Sequence, residues 1–288
     1  MSTLTTILQS STISRRQLSL MDIFSIPHTL AQRGFVGVTE IQIEDTLLFP
    51  NGNPLFSNKN EIPAFLNQFN QKPFRIAVRK SVYGNATTDD LTRLNGLTFD
   101  VTVDNQQRYG KTVEMLLAYL CVQYLSAFSA SFGVHVDGSP EGGDFDCLVN
   151  FQNSLYHFES KSGSVTNITS DQLQHFLYRH DYLTPDASIL FLDSTDVSED
   201  VFRRFLGLRL HQNTTYTIDQ ILKCKIDGRR VFMIHPGIVV VDIASNGDIL
   251  TNIRIGMRFL NRFATYDRAT MSKLVEPKHL GLDGEILT

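Results

Sequence analysis

Between Gly142 and Gly163 the chain reads GGDFDCLVNFQNSLYHFESKSG. Two short apolar runs flank the polar pair Gln152 and Asn153, and Asp144, Asp146, Glu159 and Lys161 stand at the outer ends. If Gln152 and Asn153 make a two-residue hairpin turn, facing residues have numbers summing to about 305. That register sets Val149 against Tyr156, Asp146 against Glu159 and Asp144 against Lys161. Opposed side chains lie about 4.5–5.5 Å apart, where two like charges destabilise a sheet and a cation between them removes the conflict. Because strand side chains alternate faces, all four charged residues are expected on one side, with the Ser160 carbonyl beside them. Hard divalent cations take carboxylate and carbonyl oxygens together with water. Two carboxylates beside a lysine are therefore equipment for phosphodiester hydrolysis.

A further acid comes from the segment before the hairpin. Within residues 112–128 Glu114 is the one formally charged residue, among Val, Met, Leu, Ala, Tyr and Cys. A buried carboxylate without a partner is costly, so a partner is expected. Bland readings stand beside these. Asp144 with Lys161 reads as a cross-strand ion pair at the hairpin's open end. Glu114, in the first turn of its helix, also complements the helix dipole. His157 is taken to alternate away from the acids and to be a packed core histidine.

These residues need elements to position them. KTVEMLLAYLCVQYLSAFSASFG (111–133) reads as a buried helix, apolar nearly all round. FDCLVNF and SLYHFESK read as the hairpin strands, and SDQLQHFLYRHDYL as a second helix that Ser170 caps. ASILFLD reads as a strand buried on both faces. Beyond it come a helix near 200–208, the strands RRVFMIH, GIVVVDI and ILTNIRI, the turn SNGD, and a polar tail. Residues 1–105 read as a separate α/β or β-rich region, with runs such as GFVGVTEIQI, FRIAVRK and LTFDVTVD, and residues 106–288 as the domain carrying the acids.

Composition narrows the classes. The 288 residues carry a formal net charge of -4, which argues against a generally basic, nucleic-acid-coating protein and leaves only local phosphate contacts. The densest basic stretches are Arg203 to His211 and Arg254 to Arg262, and HFLYRHDY interleaves basic and aromatic residues. Cys121, Cys147 and Cys224 lack zinc or disulfide spacing. No apolar run approaches a membrane span, so an intracellular, soluble, cytoplasmic protein is expected. GxSxG, Walker-type, GxGxxG and HExxH signatures are absent.

The order Glu114, GGDFDCLV, FESKSG and a helix bearing Gln172 resembles the PD-(D/E)XK nuclease superfamily, over about residues 108 to 195. Phe145 stands where the nominal pattern has a proline. The resemblance implies a restriction-endonuclease-like α/β core, a mixed central sheet flanked by helices, with the N-terminal region added to it. It implies Mg²⁺ or Mn²⁺ held by Glu114, Asp146, Glu159 and the Ser160 carbonyl. Lys161 would orient the attacking water or stabilise charge on the phosphate, and Gln172 would be an auxiliary polar residue. The expected activity is metal-dependent cleavage of nucleic acid, DNA favoured over RNA, by a chain that can act as a homodimer. The fold serves restriction, repair, recombination, mobile elements and antiviral defence, and does not choose among them. A non-catalytic binding module of the same fold is the contrasting expectation.

Overall fold

The computed structural model describes residues 24–41, 103–139, 142–151, 154–162, 168–193, 204–205, 207–209, 221–226, 229–235, 237–242, 249–263 and 283–287. The elements in chain order are α1 (Ile26–Gln32), β1 (Thr39–Ile41), α2 (Val103–Leu125), β2 (Ser129–His135), β3 (Phe145–Phe151) and β4 (Ser154–Ser162). They continue with α3 (Ser170–Leu183), β5 (Ala187–Asp193), β6 (Ile221–Ile226), β7 (Arg229–His235), β8 (Ile238–Asp242), α4 (Ile249–Phe263) and β9 (Asp283–Leu287).

The nine strands among the described residues form one mixed sheet in the order β1-β2-β3-β4-β5-β8-β7-β6-β9. The β4·β5 and β5·β8 pairs are parallel and the others antiparallel. The architecture is thus mixed α/β, as the sequence suggested. Helices cover both faces. On one face α2 and α4 pack on Cys147, Val149, Phe158, Ile189, Phe191, Val239 and Val241. On the other, α3 packs on Leu190, Leu192, Ile238 and Val240, and α1 on Val134, Phe145, Leu148 and Leu155. Odd and even positions of β5 and β8 thus part cleanly between the faces, which is why their sequences are mostly apolar at odd and even positions alike.

Several boundaries differ from the sequence reading. The helix expected over 111–133 ends at Leu125, and β2 follows it. Ser126 adopts the left-handed region (φ 59°), and the Ala127 N–H folds back on the Cys121 carbonyl (3.0 Å). The small, apolar SASFG pairs with β3 because a neighbouring strand outweighs its weak local preference. The cap of α3 is Thr169 rather than Ser170, in a full capping box with Gln172. ILTNIRI is no strand but the start of α4. Its buried Ile249, Asn252, Ile253, Gly256 and Leu260 recur at the helical period, which overrides their β-branched composition. β9 falls in what read as a polar tail and borders β6.

In the N-terminal region, α1 and β1 belong to the same sheet-and-helix assembly as the core: β1 pairs with β2, and α1 packs on β2 and β3. The buried Asn150 ties them in. Its amide donates to the Phe24 carbonyl (2.6 Å), Thr29 Oγ1 (2.8 Å) and Ser129 Oγ (3.1 Å). FRIAVRK, most of LTFDVTVD, the SNGD turn and most of the helix expected near 200–208 lie outside the described residues.

Candidate functional site

The hairpin register is the expected one from Phe151↔Ser154 to Cys147↔Phe158. One step further, at Asp146 and Glu159, simple alternation fails. Phe145 packs with Leu148 on the α1/α3 face, whereas Cys147 between them packs on the α2 face. Neighbouring β2 shows the same switch between Phe132 and Val134, around Gly133 (φ 56°). A Cβ at Gly133 would lie 2.5 Å from the Ile41 side chain, so only glycine fits the turn in the strand there. Local irregularities of this kind re-aim a side chain at a strand end.

Asp146 is re-aimed accordingly. Its Oδ2 accepts from the Ser160 N–H (2.7 Å) and the Ser160 hydroxyl (3.2 Å). Ser160 alternates away from Glu159, so the two acids do not simply project from one side as expected. Asp146 reaches toward the α2 side. Glu159, with Lys161 two residues on, faces α3.

On the α3 side the buried Glu159 is encircled by cations. Lys161 Nζ donates to its Oε1 (2.6 Å), and Arg179 Nη1 donates to Oε1 (3.0 Å) and Oε2 (2.9 Å). Burial alone would raise the Glu159 pKa, but Lys161 and Arg179 hold it well below the usual carboxylate range. Burial likewise works against the charge of Lys161, yet Glu159 and Asp146 raise its pKa above the ordinary value. His157 does not alternate away from the acids. It shares the Glu159 face, and its Nε2 lies 3.6 Å from Glu159 Oε2 without a hydrogen-bond partner. It is nonetheless a packed core residue, between the rings of Phe145 and Phe176. Its Nδ1 is 3.4 Å from Ser188 Oγ, which is 2.8 Å from His180 Nδ1.

On the α2 side, Glu114 is buried beside Lys111, whose Nζ donates to Glu114 Oε2 (2.9 Å) and reaches Asp144 Oδ2 (3.5 Å). Asp144 therefore pairs with Lys111, not with Lys161 as the hairpin register suggested. Burial and the Asp146 charge push the Glu114 pKa up to about 8, against the opposing pull of Lys111. Desolvation and Glu159 raise Asp146 as well, despite Lys161 and the Ser160 amide. The negative charge on this side is thus only partly compensated.

Glu114, Asp146, Glu159, Ser160 and Lys161 are therefore brought together where β3 begins and β4 ends, outside the carboxyl ends of the parallel strands β4 and β5, a common place for ligands in α/β sheets. Gln172 serves the α3 cap: its side chain accepts from Thr169 N–H (3.1 Å). Among the described residues no three His, Cys, Asp or Glu side chains are gathered as a ready metal cage. The donor chemistry does fit a hard divalent ion, since Glu114 and Asp146 offer oxygens in a locality short of positive charge.

Sequence reasoning missed two residues. Lys111 stands three before Glu114, a spacing at which helix neighbours meet. Arg179 stands three after the buried Phe176, at the rim of the apolar stripe of α3, in the HFLYRHDY cluster that read only as interleaved basic and aromatic residues. The basic stretches fare differently. Arg254 and Arg258 are exposed on α4, with Arg254 donating to the Tyr124 carbonyl (3.1 Å), while most of Arg203 to His211 is outside the described residues. Cys121 and Cys147 are buried free thiols. Among the described residues no helix is long and apolar enough to cross a membrane. No family model, curated protein or solved structure matches the chain.

Proposed function

We propose that this chain is a metal-dependent nuclease of the PD-(D/E)XK kind, hydrolysing phosphodiester bonds, with DNA as the favoured substrate and an intracellular setting. The observation that carries the reading is the meeting of Asp146, Glu159 and Lys161 across one hairpin end, with Glu114 brought in from α2. The restriction-endonuclease-like core belongs to the same reading; the order of α2 to β5, a helix, three antiparallel strands, a helix and a strand, supports it.

Mg²⁺ or Mn²⁺ held by Asp146 and Glu114, with the Ser160 carbonyl and Glu159 completing the set, would supply Lewis-acid activation of phosphate and water. Lys161 keeps its proton at Nζ because two acids raise its pKa. It therefore suits donation to a phosphate oxygen rather than proton abstraction. The Ser160 N–H orients Asp146, and Arg179 orients Glu159. Glu114 holds its proton near neutral pH until added positive charge lowers its pKa.

A second reading, a non-catalytic nucleic-acid or protein-binding module, is favoured by the full pairing of Glu159 with Lys161 and Arg179. RNA cleavage by the same chemistry is a third outcome of one test. Circular and linear single-stranded and duplex DNA, and RNA, are incubated with Mg²⁺, Mn²⁺ or EDTA, for wild type and Lys161→Met. Metal-dependent cleavage lost in the variant is expected, and the cleaved polymer names the substrate. Cleavage of nothing, with metal-independent binding, would replace the nuclease reading by the binding module.

A further inference from the structure

Arg179 makes an unusual set of contacts for a helix residue. Its side chain, 14% exposed, leaves α3 beside Phe176 and reaches both oxygens of Glu159 through Nη1. Its Nη2 is directed at the Gly142 carbonyl, 3.5 Å away, in the turn that launches β3 and so Asp146. The next residue, Gly143, has φ +70°, and a Cβ there would lie 3.0 Å from Arg179 Nη2. Glycine at 143 satisfies both the backbone and the guanidinium's passage. One planar group thus spans the acid of β4 and the turn that delivers the acid of β3.

We propose that Arg179 is a positioning residue that sets Glu159 relative to Asp146, gripping the first directly and the second through the Gly142–Gly143 turn. The proposal rests on the nuclease reading. A lysine at 179 keeps the charge but has one nitrogen, which cannot hold Glu159 and the turn at once; the two cations are not interchangeable at such a site. Loss of a group that orients metal-holding side chains typically costs about 10–100-fold in metal affinity or activity.

The test compares wild type, Arg179→Lys and Gly143→Ala by calorimetric titration with Mn²⁺ alone, and by kcat and KM on the nucleic acid that wild type cleaves best. Thermal melting serves as the check on folding. For folded Arg179→Lys the expected result is Mn²⁺ affinity and kcat each lowered about tenfold or more with KM unchanged, because orientation is lost and substrate contact is not. Gly143→Ala, which both strains the turn at φ +70° and crowds the guanidinium, is expected to change the same quantities in the same direction, and wild-type values in it overturn the proposal if Arg179→Lys does not fold. Wild-type Mn²⁺ affinity and kcat in the folded variant would overturn the positioning role alone. A wild type that neither binds Mn²⁺ nor cleaves any polymer would instead remove the nuclease reading, and this proposal with it.

Discussion

Asp146 and Glu159 stand near the open end of one hairpin, yet their surroundings prepare them oppositely. Glu159 is fully buried and carries two cations on its two oxygens, so it is held ionised well below the usual range. Asp146 has the Ser160 amide and hydroxyl; burial and the Glu159 charge raise its pKa, and burial and the Asp146 charge raise that of Glu114. The difference follows from which helix each acid meets: α3 brings Arg179, whereas α2 brings another carboxylate with Lys111. Charge of one kind is saturated on one side and left in excess on the other, a division between a held carboxylate and a responsive pair.

Glu159→Gln strikes the held carboxylate directly. Removing the anion leaves Lys161 and Arg179 largely buried without their partner, and breaking a buried pair from one side costs about 3–5 kcal/mol. Urea unfolding is expected to show a loss of that size, and a loss below about 1 kcal/mol would mean that the cations are solvated rather than held.

Glu114 sharpens the other half. Its folded pKa, about 8, lies above the ordinary glutamate value, so folding favours the protonated acid. Stability from this group is fully present below the ordinary value and declines as pH rises through about 8. Melting temperatures measured across that window are expected to fall with pH in wild type and to flatten in Glu114→Gln. An unchanged slope would show that Glu114 ionises as an ordinary carboxylate.

Asp146→Asn should act in the reverse sense to Glu159→Gln. It removes repulsion with Glu159 and Glu114 while leaving a side-chain oxygen for the Ser160 amide. Relief of strain at a functional site commonly gains about 0.5–2 kcal/mol while activity is lost. A stabilised, cleavage-dead variant by denaturant titration and nuclease assay is expected; destabilisation would place Asp146 with Glu159 as a structurally held acid.

The smallest effect belongs to Gln172→Ala, which removes half of the capping box and should cost about 0.5–1 kcal/mol in thermal unfolding with cleavage unaltered. A loss of cleavage without loss of stability would return Gln172 to the site.

How much of this was visible in the residues depends on the kind of signal. The hairpin strands, α3 and β5 were legible almost to the residue, because turn residues bound them and their apolar runs are short. The hairpin led to the expectation that Asp146, Glu159 and Lys161 lie close together, and only the family resemblance added Glu114. The aim of Asp146 did not follow, since the switch of faces at Gly133 and Asp146 involves a neighbouring strand that read as helix. Arg179 was hidden for a related reason: whether a rim arginine turns outward or onto a buried acid depends on the tertiary approach of α3 to β4. In α4 the isoleucines speak for a strand locally, and only their spacing against a sheet face speaks for a helix.

The central claim is that the Glu114–Asp146 side is short of positive charge and takes a divalent cation. The most direct measurement is the thermal melting of wild type and Asp146→Asn, each with Mn²⁺ and with EDTA at neutral pH. An ion that binds only the folded chain must stabilise it. Wild type is expected to melt higher in Mn²⁺ than in EDTA, and Asp146→Asn to respond little. Equal responses of the two proteins, or none in wild type, would contradict the account.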